Sequence, residues 1–537
     1  MRDAVVVGSG HNALIAACYL ARAGLDVEVV ERDTVPGGAV STVERFGGYL
    51  MDRGSSAHIM IRHTGIVEEL RLDRCGLDYQ DLDPWGFAPF WTPGGEQVAL
   101  TFYRDLDLTC ASIERVCGAA DADAYRAFAV EWGDRNERVF AAFGHPPTAG
   151  RLGRALWGIG RRGAGADTAR EFLAPADWLL DRYFTDERLK TALAWMGAQS
   201  GPPTHEVATA DLVGWVPMMH RRAPGHPRGG SGALTQALAR RLASAGGTLR
   251  LGDGARRILA TGGRAAGVLT DSGERIAARV VVAGCHVLTT ARLLGDALPA
   301  HLAERMRGIR VGAGVGMAVR LGTTDLPRYP AAGPDSHRAM QLLAPSRLAL
   351  RTAYGDYLAG RPPRRPAALA MTFSAFDDSL APPGRHNVTV WGQWHPYALA
   401  SGERWDDVGR RAADLLIEQV DAAAPGFAGS VRHVFVQTPA DLEAELGLLG
   451  GNVMHVEMGL DAMFSLRPLP ELAGYRVPGV RGLYLTGAST HPGGGVFGAS
   501  GRSAARVVLR DWSRDRDGGR GTRGRVRRWP RIAGGSR

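Results

Sequence analysis

The chain of 537 residues is 45% hydrophobic and 7% aromatic, the make-up of a globular protein with a sizeable core and enough length for two or three domains. Ten Arg and three Asp from Arg510 to Arg537 account for +7 of the net +9, which leaves the body too nearly neutral for a nucleic-acid-binding face. Five scattered cysteines with no CxxC pair give no support to a disulfide framework, a zinc site or a dithiol redox centre.

The first strand is predicted over Asp3–Val7, which leaves no room for a signal peptide. With no run of eighteen apolar residues anywhere, a cytoplasmic protein is expected. Gly8-Ser9-Gly10-His11-Asn12-Ala13 follows, then a helix from Leu14 to Ala23 and a second strand, Val27–Val30, that ends on Glu31. Strand, glycine turn, helix, strand and acid in that order form the dinucleotide-binding fingerprint. Gly8 permits the tight turn, and Gly10 lets the backbone approach a pyrophosphate at the helix N-terminus. Ala13 is small enough for helix and strand to pack closely. Glu31 stands where an acid would hydrogen-bond the ribose hydroxyls. A second glycine pair, in Arg32-Asp33-Thr34-Val35-Pro36-Gly37-Gly38-Ala39, leaves further amides uncovered. That suits a larger cofactor, although alone it reads as an ordinary proline–glycine turn.

Farther along, a hairpin over Gly86–Tyr103 turns at Thr92-Pro93-Gly94-Gly95, and helices are predicted over Asp105–Val116 and Asp121–Phe143. Residues 145–185 interleave Arg151, Arg154, Arg161, Arg162 and Arg170 with Leu152, Leu156, Trp157, Ile159, Phe172 and Trp178. The pattern fits a lid helix packed on its own protein or a peripheral membrane contact equally well. Gly229 to Gly232 opens a helix to Ala245, and strands follow at 248–251, 264–270 and 279–283. Ala255 and Arg256 are expected to edge the adenine. Gly312-Ala313-Gly314-Val315-Gly316 precedes a strand instead of following one, so it reads as a glycine-softened strand entry. A second excursion, from about Pro299 to Val480, carries a helix at 406–423 and strands at 367–373 and 387–391. At the end, a strand through Tyr484 enters a glycine-dense loop and then a helix from Ser503 to Leu509. Such a loop offers unpaired N–H groups and a positive dipole end.

The expected fold class is α/β. A discontinuous Rossmann-like domain is drawn from residues 1–60, 205–298 and 480–512. Residues 61–204 and 299–479 form a mixed-sheet substrate domain with a helical lid around 105–204, and 513–537 are a basic disordered tail.

The paired ends resemble the FAD-dependent phytoene desaturase-like superfamily. Within it they are most similar to desaturase-type β-carotene ketolases and to proteins called pyridine nucleotide-disulfide oxidoreductase domain-containing protein 2. The matching stretches are Gly8 to Asn12 with Glu31 and Pro36-Gly37-Gly38, then Pro227 to Leu234, Gly451 to His455, Arg467 to Glu471, and Leu483 to Arg502. Thr490-His491-Pro492-Gly493-Gly494 is the most specific of them. The resemblance implies a glutathione-reductase-type FAD-binding fold. It would use Gly8, Gly10, His11, Asn12, Ala13, Glu31, Arg32, Gly37, Gly38, Ala39 and Ala255 near one end of the cofactor. Gly487, Ser489, Thr490, His491, Gly494, Val496 and Phe497 would serve it from the terminal loop. Ala13 stands where such proteins more often carry glycine, and Ser489 where related flavoproteins often set an acid or glycine against the ribityl chain.

By that resemblance the protein is an FAD-dependent oxidoreductase, a dehydrogenase, desaturase or oxygenase. Its substrate is a hydrophobic carotenoid, isoprenoid or secondary metabolite that passes a hydride to flavin N5. The reacting carbon need only be held about 3–3.5 Å from its acceptor. No metal site or catalytic triad is required, and none is visible in the sequence. His58, His220 and His455 are the candidate acid/base residues, against the plainer reading of each as a satisfied structural histidine. Arg467 is expected to neutralise a carboxylate or brace the loop, and His491 to touch the cofactor. Two other readings stay open: a redox-neutral isomerase or FAD-binding partner protein, and a flavin amine oxidase. The last is disfavoured because the only lysine, Lys190, lies in a predicted lid helix far in sequence from the flavin segments.

Overall fold

Residues 1–148, 150 and 165–518 are described by the computed structural model. Two seven-stranded sheets organise them. The first runs Ala255–Thr261, Arg264–Thr270, Arg275–Ala283, Arg2–Val7, Val27–Val30 and Thr248–Arg250, with Leu483–Leu485 pairing to Arg275–Ala283 off that path. Arg2–Val7 is parallel to both neighbours, with Val5 opposite both Glu28 and Val281. Its valines are buried, as expected of a parallel strand covered on both faces. Leu483–Leu485 lies parallel to Val281–Ala283, which sets the two distant glycine loops at the same end of the sheet.

The helix His11–Arg22 begins three residues before the predicted Leu14 and packs on the final helix, Ala499–Gly518. That contact depends on missing side chains. A Cβ at Gly501 would lie 2.1 Å from the Asn12 carbonyl oxygen, and one at Gly284 would lie 2.5 Å from the Ala13 methyl. The latter distance explains why Ala13 is tolerated here: Gly284 has given up the space that a glycine in the fingerprint would otherwise supply.

The second sheet runs Val431–Gln437, Gly316–Thr323, His386–Gln393, Ala368–Met371, Met340–Leu343, Gly86–Trp91 and Gln97–Phe102. Trp405–Ala423 packs with Val319, Val388 and Val390. Leu106–Cys117, Ala119–Phe143, Ala176–Tyr183 and Glu187–Ala198 bury Trp132 and Trp195 in a cluster that also holds Trp85 and Trp394. Asp105 caps the first of these helices, accepting from the amides of Asp107 and Leu108 at 2.8 and 3.0 Å. Asp121 does not start the next one, which begins at Ala119. Its buried carboxylate instead accepts from the amides of Thr185 and Asp186 at 2.8 and 2.7 Å, tying two helices together.

Several expectations are corrected. The strand Ala255–Thr261 lacks the alternation that would have announced it. The final helix opens at Ala499, not Ser503, and continues through Gly518, so the first residues assigned to the basic tail are helical. Arg151, Arg154, Arg161, Arg162, Leu152, Leu156, Trp157 and Ile159, and the tail from 519 onward, lie outside the described residues. Within them, Phe172 packs 5.6 Å from Trp132, and the Arg182 guanidinium stands 5.5 Å from the Trp178 ring. Among the described residues no helix is long and apolar enough to cross a membrane.

Candidate active site

A cavity of about 830 Å³ lies where the two sheets and the terminal loop converge. The first glycine turn contributes Gly8, Gly10, His11, Asn12 and Ala13, and the second contributes Arg32, Gly37, Gly38 and Ala39 beside Glu31. Ala255 and Arg256 line it from the strand that follows, and Gly487, Gly494 and Val496 from the terminal loop.

Its cofactor side is built for an anion. The helix His11–Arg22 is N-capped by Gly10 with no side-chain hydrogen bond and carries no acid in its first turn. Its first amides and the positive end of its dipole are therefore uncompensated. A Cβ on Gly10 would meet nothing within 4 Å, and one on Gly38 would find Gly10 Cα nearest, at 3.9 Å. The two bare backbone turns thus lie side by side with no side chain over their amides, a cradle of the kind a pyrophosphate fills. Ser9, missed by the sequence reading, joins these turns. Its hydroxyl donates to Glu31 at 2.8 Å and accepts from the Gly37 amide at 3.2 Å, while its own amide reaches Glu31 at 2.7 Å.

The expected acid/base residues are not brought together. His58 is fully buried, its Nδ1 2.7 Å from the Tyr79 hydroxyl and its Nε2 2.8 Å from Ser231 Oγ. His220 is held by the Tyr125 hydroxyl at 2.8 Å and the Arg104 carbonyl at 3.1 Å. Neither lines the cavity, and both ring nitrogens of each are spent on protein partners, as in the plainer reading. Burial pushes both rings below the usual histidine range. His455 alone of the three lines the cavity, and burial likewise pushes it far down, helped by neighbouring His286 and Arg467.

Four expected cofactor contacts also fall outside the lining: Ser489, Thr490, His491 and Phe497. Ser489 turns toward His455, and the Thr490 hydroxyl lies 2.6 Å from Ser500 Oγ. The His491 ring is buried between Phe143 and Phe464, and desolvation lowers its pKa to about 3. Phe497 packs on Phe140 and Phe143. Of the two roles considered for Arg467, bracing is the one observed. Fully buried, it donates six hydrogen bonds to the carbonyls of Met454, Val456, Glu457, Ala462 and Ala488. Lys190 pairs with Asp181 at 3.0 Å and Glu187 at 2.9 Å, away from the lining.

The far side of the cavity has a different chemistry. Met60, Phe140, Met196, Leu212, Trp215, Val216, Met219, Trp391, Met454 and Met458 line it, with Gln199 and Ser200 as polar neighbours. These residues come from segments whose sequence signal was weak, and a scatter of methionines announces no site by itself.

A sheet with a parallel core and a glycine cradle at the carboxyl end of its central strand, opening onto an apolar chamber, defines a dinucleotide-dependent enzyme of the flavoprotein type. Residues 14–509 match the family described as flavin containing amine oxidoreductase, and the chain belongs to that family. It is similar to rat (Rattus norvegicus) pyridine nucleotide-disulfide oxidoreductase domain-containing protein 2, with 32% identity over 95% of this chain and 93% of that one. It is also similar to a Streptomyces griseus phytoene dehydrogenase, at 29% identity over 92% of each. Among solved structures, an oxidoreductase from Methanosarcina mazei shares the fold, with a TM-score of 0.61, 16% identity and coverage of 95% of this chain and 100% of that one. The chain is an FAD-dependent oxidoreductase of the phytoene desaturase-like superfamily.

Proposed function

We propose that the protein dehydrogenates or desaturates a hydrophobic small molecule, of isoprenoid or similar character, at the junction of the cavity's two sides. The observation that carries this is the apolar side itself, where five methionines and two tryptophans join Phe140, Leu212 and Val216. A charged substrate would lose its hydration there without a counter-charge, whereas an extended hydrocarbon gains about 25 cal/mol for each Å² it buries. The similarity to a phytoene dehydrogenase supports the same class.

When bound, FAD supplies the two-electron oxidation. The chain supplies its seat: Gly8, Gly10, His11, Asn12 and Ala13 at the pyrophosphate, Glu31 at the ribose, Arg32 and Ala255 at the adenosine end. Gly37, Gly38, Ala39, Gly487, Gly494 and Val496 close around the remainder. The methionines and Trp215 then orient the substrate and exclude water, their flexible and polarizable side chains adapting to an irregular hydrocarbon. A peripheral contact with the inner face of a membrane belongs to the same reading, since such substrates partition into lipid.

The test is anaerobic mixing of the purified holoprotein with carotenoids, other isoprenoids, amines and hydroxy compounds while flavin absorbance is followed. Stoichiometric bleaching by an apolar compound is expected. Bleaching by amines alone, or product formation with the flavin still oxidised, would overturn the proposal.

A further inference from the structure

The hydrogen bonds around His455 fix which of its nitrogens carries the proton. Ser489 is buried, and its oxygen accepts from the Val287 amide at 3.1 Å. Among the described residues the other polar atom near that hydroxyl is His455 Nδ1, also at 3.1 Å. The hydroxyl proton therefore points to Nδ1, and the ring's own proton sits on Nε2. The neighbouring imidazole follows the same logic. His286 Nδ1 accepts from the Leu288 amide at 3.1 Å, so its Nε2 donates to the His455 carbonyl at 2.8 Å. The two rings stack with centroids 5.1 Å apart.

The backbone is held just as firmly. His455 adopts φ +66°, a left-handed conformation costly for a residue with a side chain. It is kept there from every side: its amide donates to Asn452 O at 3.1 Å, His286 takes its carbonyl, and Arg467 grips the carbonyls of Met454 and Val456 on either flank. The bonds that hold this conformation also fix where the ring stands. No described residue hydrogen-bonds Nε2, and the ring lines the cavity. Met454 beside it belongs to the apolar side, while Ser489 and His286 belong to the loops of the cofactor side.

We infer that His455 is a cofactor-positioning residue: a neutral imidazole whose Nε2–H donates a hydrogen bond to the flavin ring system where the two sides of the cavity meet, and not a general base. The flavin ring carries carbonyl oxygens and ring nitrogens that can accept from such a donor. The inference rests on FAD in this cavity and not on what is oxidised. Failure of the substrate proposal shows in the bleaching experiment, failure of this one in cofactor affinity.

The experiment is titration of apoprotein with FAD, followed by flavin fluorescence, for the wild type, H455L, H455Q and S489A, with thermal unfolding of each apoprotein as a folding control. Loss of one donor to the cofactor is expected to raise the FAD Kd of H455L about tenfold. H455Q, which keeps an N–H, should fall between, and the wild-type Kd should stay flat from pH 5.5 to 8. The flavin absorbance maxima of H455L should shift with the lost bond. Unchanged affinity and spectrum in a folded H455L would overturn the inference, as would a wild-type Kd that titrates near pH 6.5. If H455L does not fold, S489A carries the test: removing the hydroxyl frees the tautomer, so the FAD Kd should rise, and an unchanged Kd overturns the assignment.

Discussion

The carboxylate of Glu31 accepts from both the amide and the hydroxyl of Ser9, at 2.7 and 2.8 Å, so the acid and the glycine turn are bolted together across 22 residues. A third bond, from the Asp33 amide at 3.0 Å, orients the other oxygen. The acid that would meet the ribose is thus preorganised before any cofactor arrives. E31Q keeps the shape but loses the charge and sets an N–H against one of its donors. Its FAD Kd should rise by about tenfold or more in apoprotein titrations. An unaltered Kd would remove Glu31 from the cofactor's contacts.

The glycines separate into two kinds, and mutagenesis should distinguish them. Gly10 has open space where a Cβ would stand, so apo G10A should melt like the wild type yet bind FAD at least about tenfold more weakly. Gly37 has φ +119° and a Cβ there would fall 2.2 Å from the Val40 carbonyl oxygen. G37A should therefore lower the apoprotein's unfolding temperature as well. Differential scanning calorimetry of the two apo variants checks the contrast, and equal melting losses would refute it.

Arg467 is a buried cation whose six hydrogen bonds all go to backbone carbonyls, and burial lowers its pKa to about 9. R467M would strand four carbonyls at once and leave the fifth, Met454 O, with only the Val456 amide, at a cost of about 3 kcal/mol or more. R467K keeps the charge but not the planar fork, and should rescue only part of that loss. Urea unfolding of the three proteins measures it. Because Ala488 is among the carbonyls held, both variants should also retain FAD poorly on gel filtration.

The buried imidazoles give stability a pH dependence with a definite sign. Desolvation lowers the pKa of His63 and His395 to about 4 and that of His491 to about 3. Each is neutral when folded, whereas the unfolded chain protonates near pH 6.5. The unfolded state then binds more protons below that pH. The stability from these residues is intact above about 6.5 and is lost as pH falls toward 4. Asp211 works against the trend: burial raises its pKa to about 6, so its penalty eases on acidification. His58, His220 and His455 are shifted the same way, so the histidines outweigh Asp211: the melting temperature should drop between pH 7 and pH 5, and a rise over that interval would contradict the assignment.

What could be read from the sequence follows from where the physical constraint is local. The turn at Gly8 and Gly10, the strand ending on Glu31 and the glycine-dense terminal loop each need particular residue types at fixed spacing, so they stand out in a single chain. The three histidines did not separate there, because Tyr79, Ser231, Tyr125 and the Arg104 carbonyl reach His58 and His220 from elsewhere in the chain. His491 sits inside the most specific motif, yet its ring is turned into an aromatic cluster, since a motif fixes the path of the backbone and not the side to which each residue points. Ser9 and His286 were overlooked for the opposite reason. Each is an unexceptional residue whose role appears only once its hydrogen-bond partners are in place.

The contact between Asn12 and Gly501 spans 489 positions, with the Gly501 amide 3.3 Å from Asn12 Oδ1. Translation runs from one end to the other, so the nascent polypeptide makes half of its cofactor chamber first and waits for nearly its whole length before the other wall exists. During that interval the first helix can pack on Gly232–Ser244, but the side that meets Ala499–Gly518 stays uncovered. The chamber that would receive the cofactor is therefore closed by a late contact between segments far apart in the chain, and not by the early fingerprint alone.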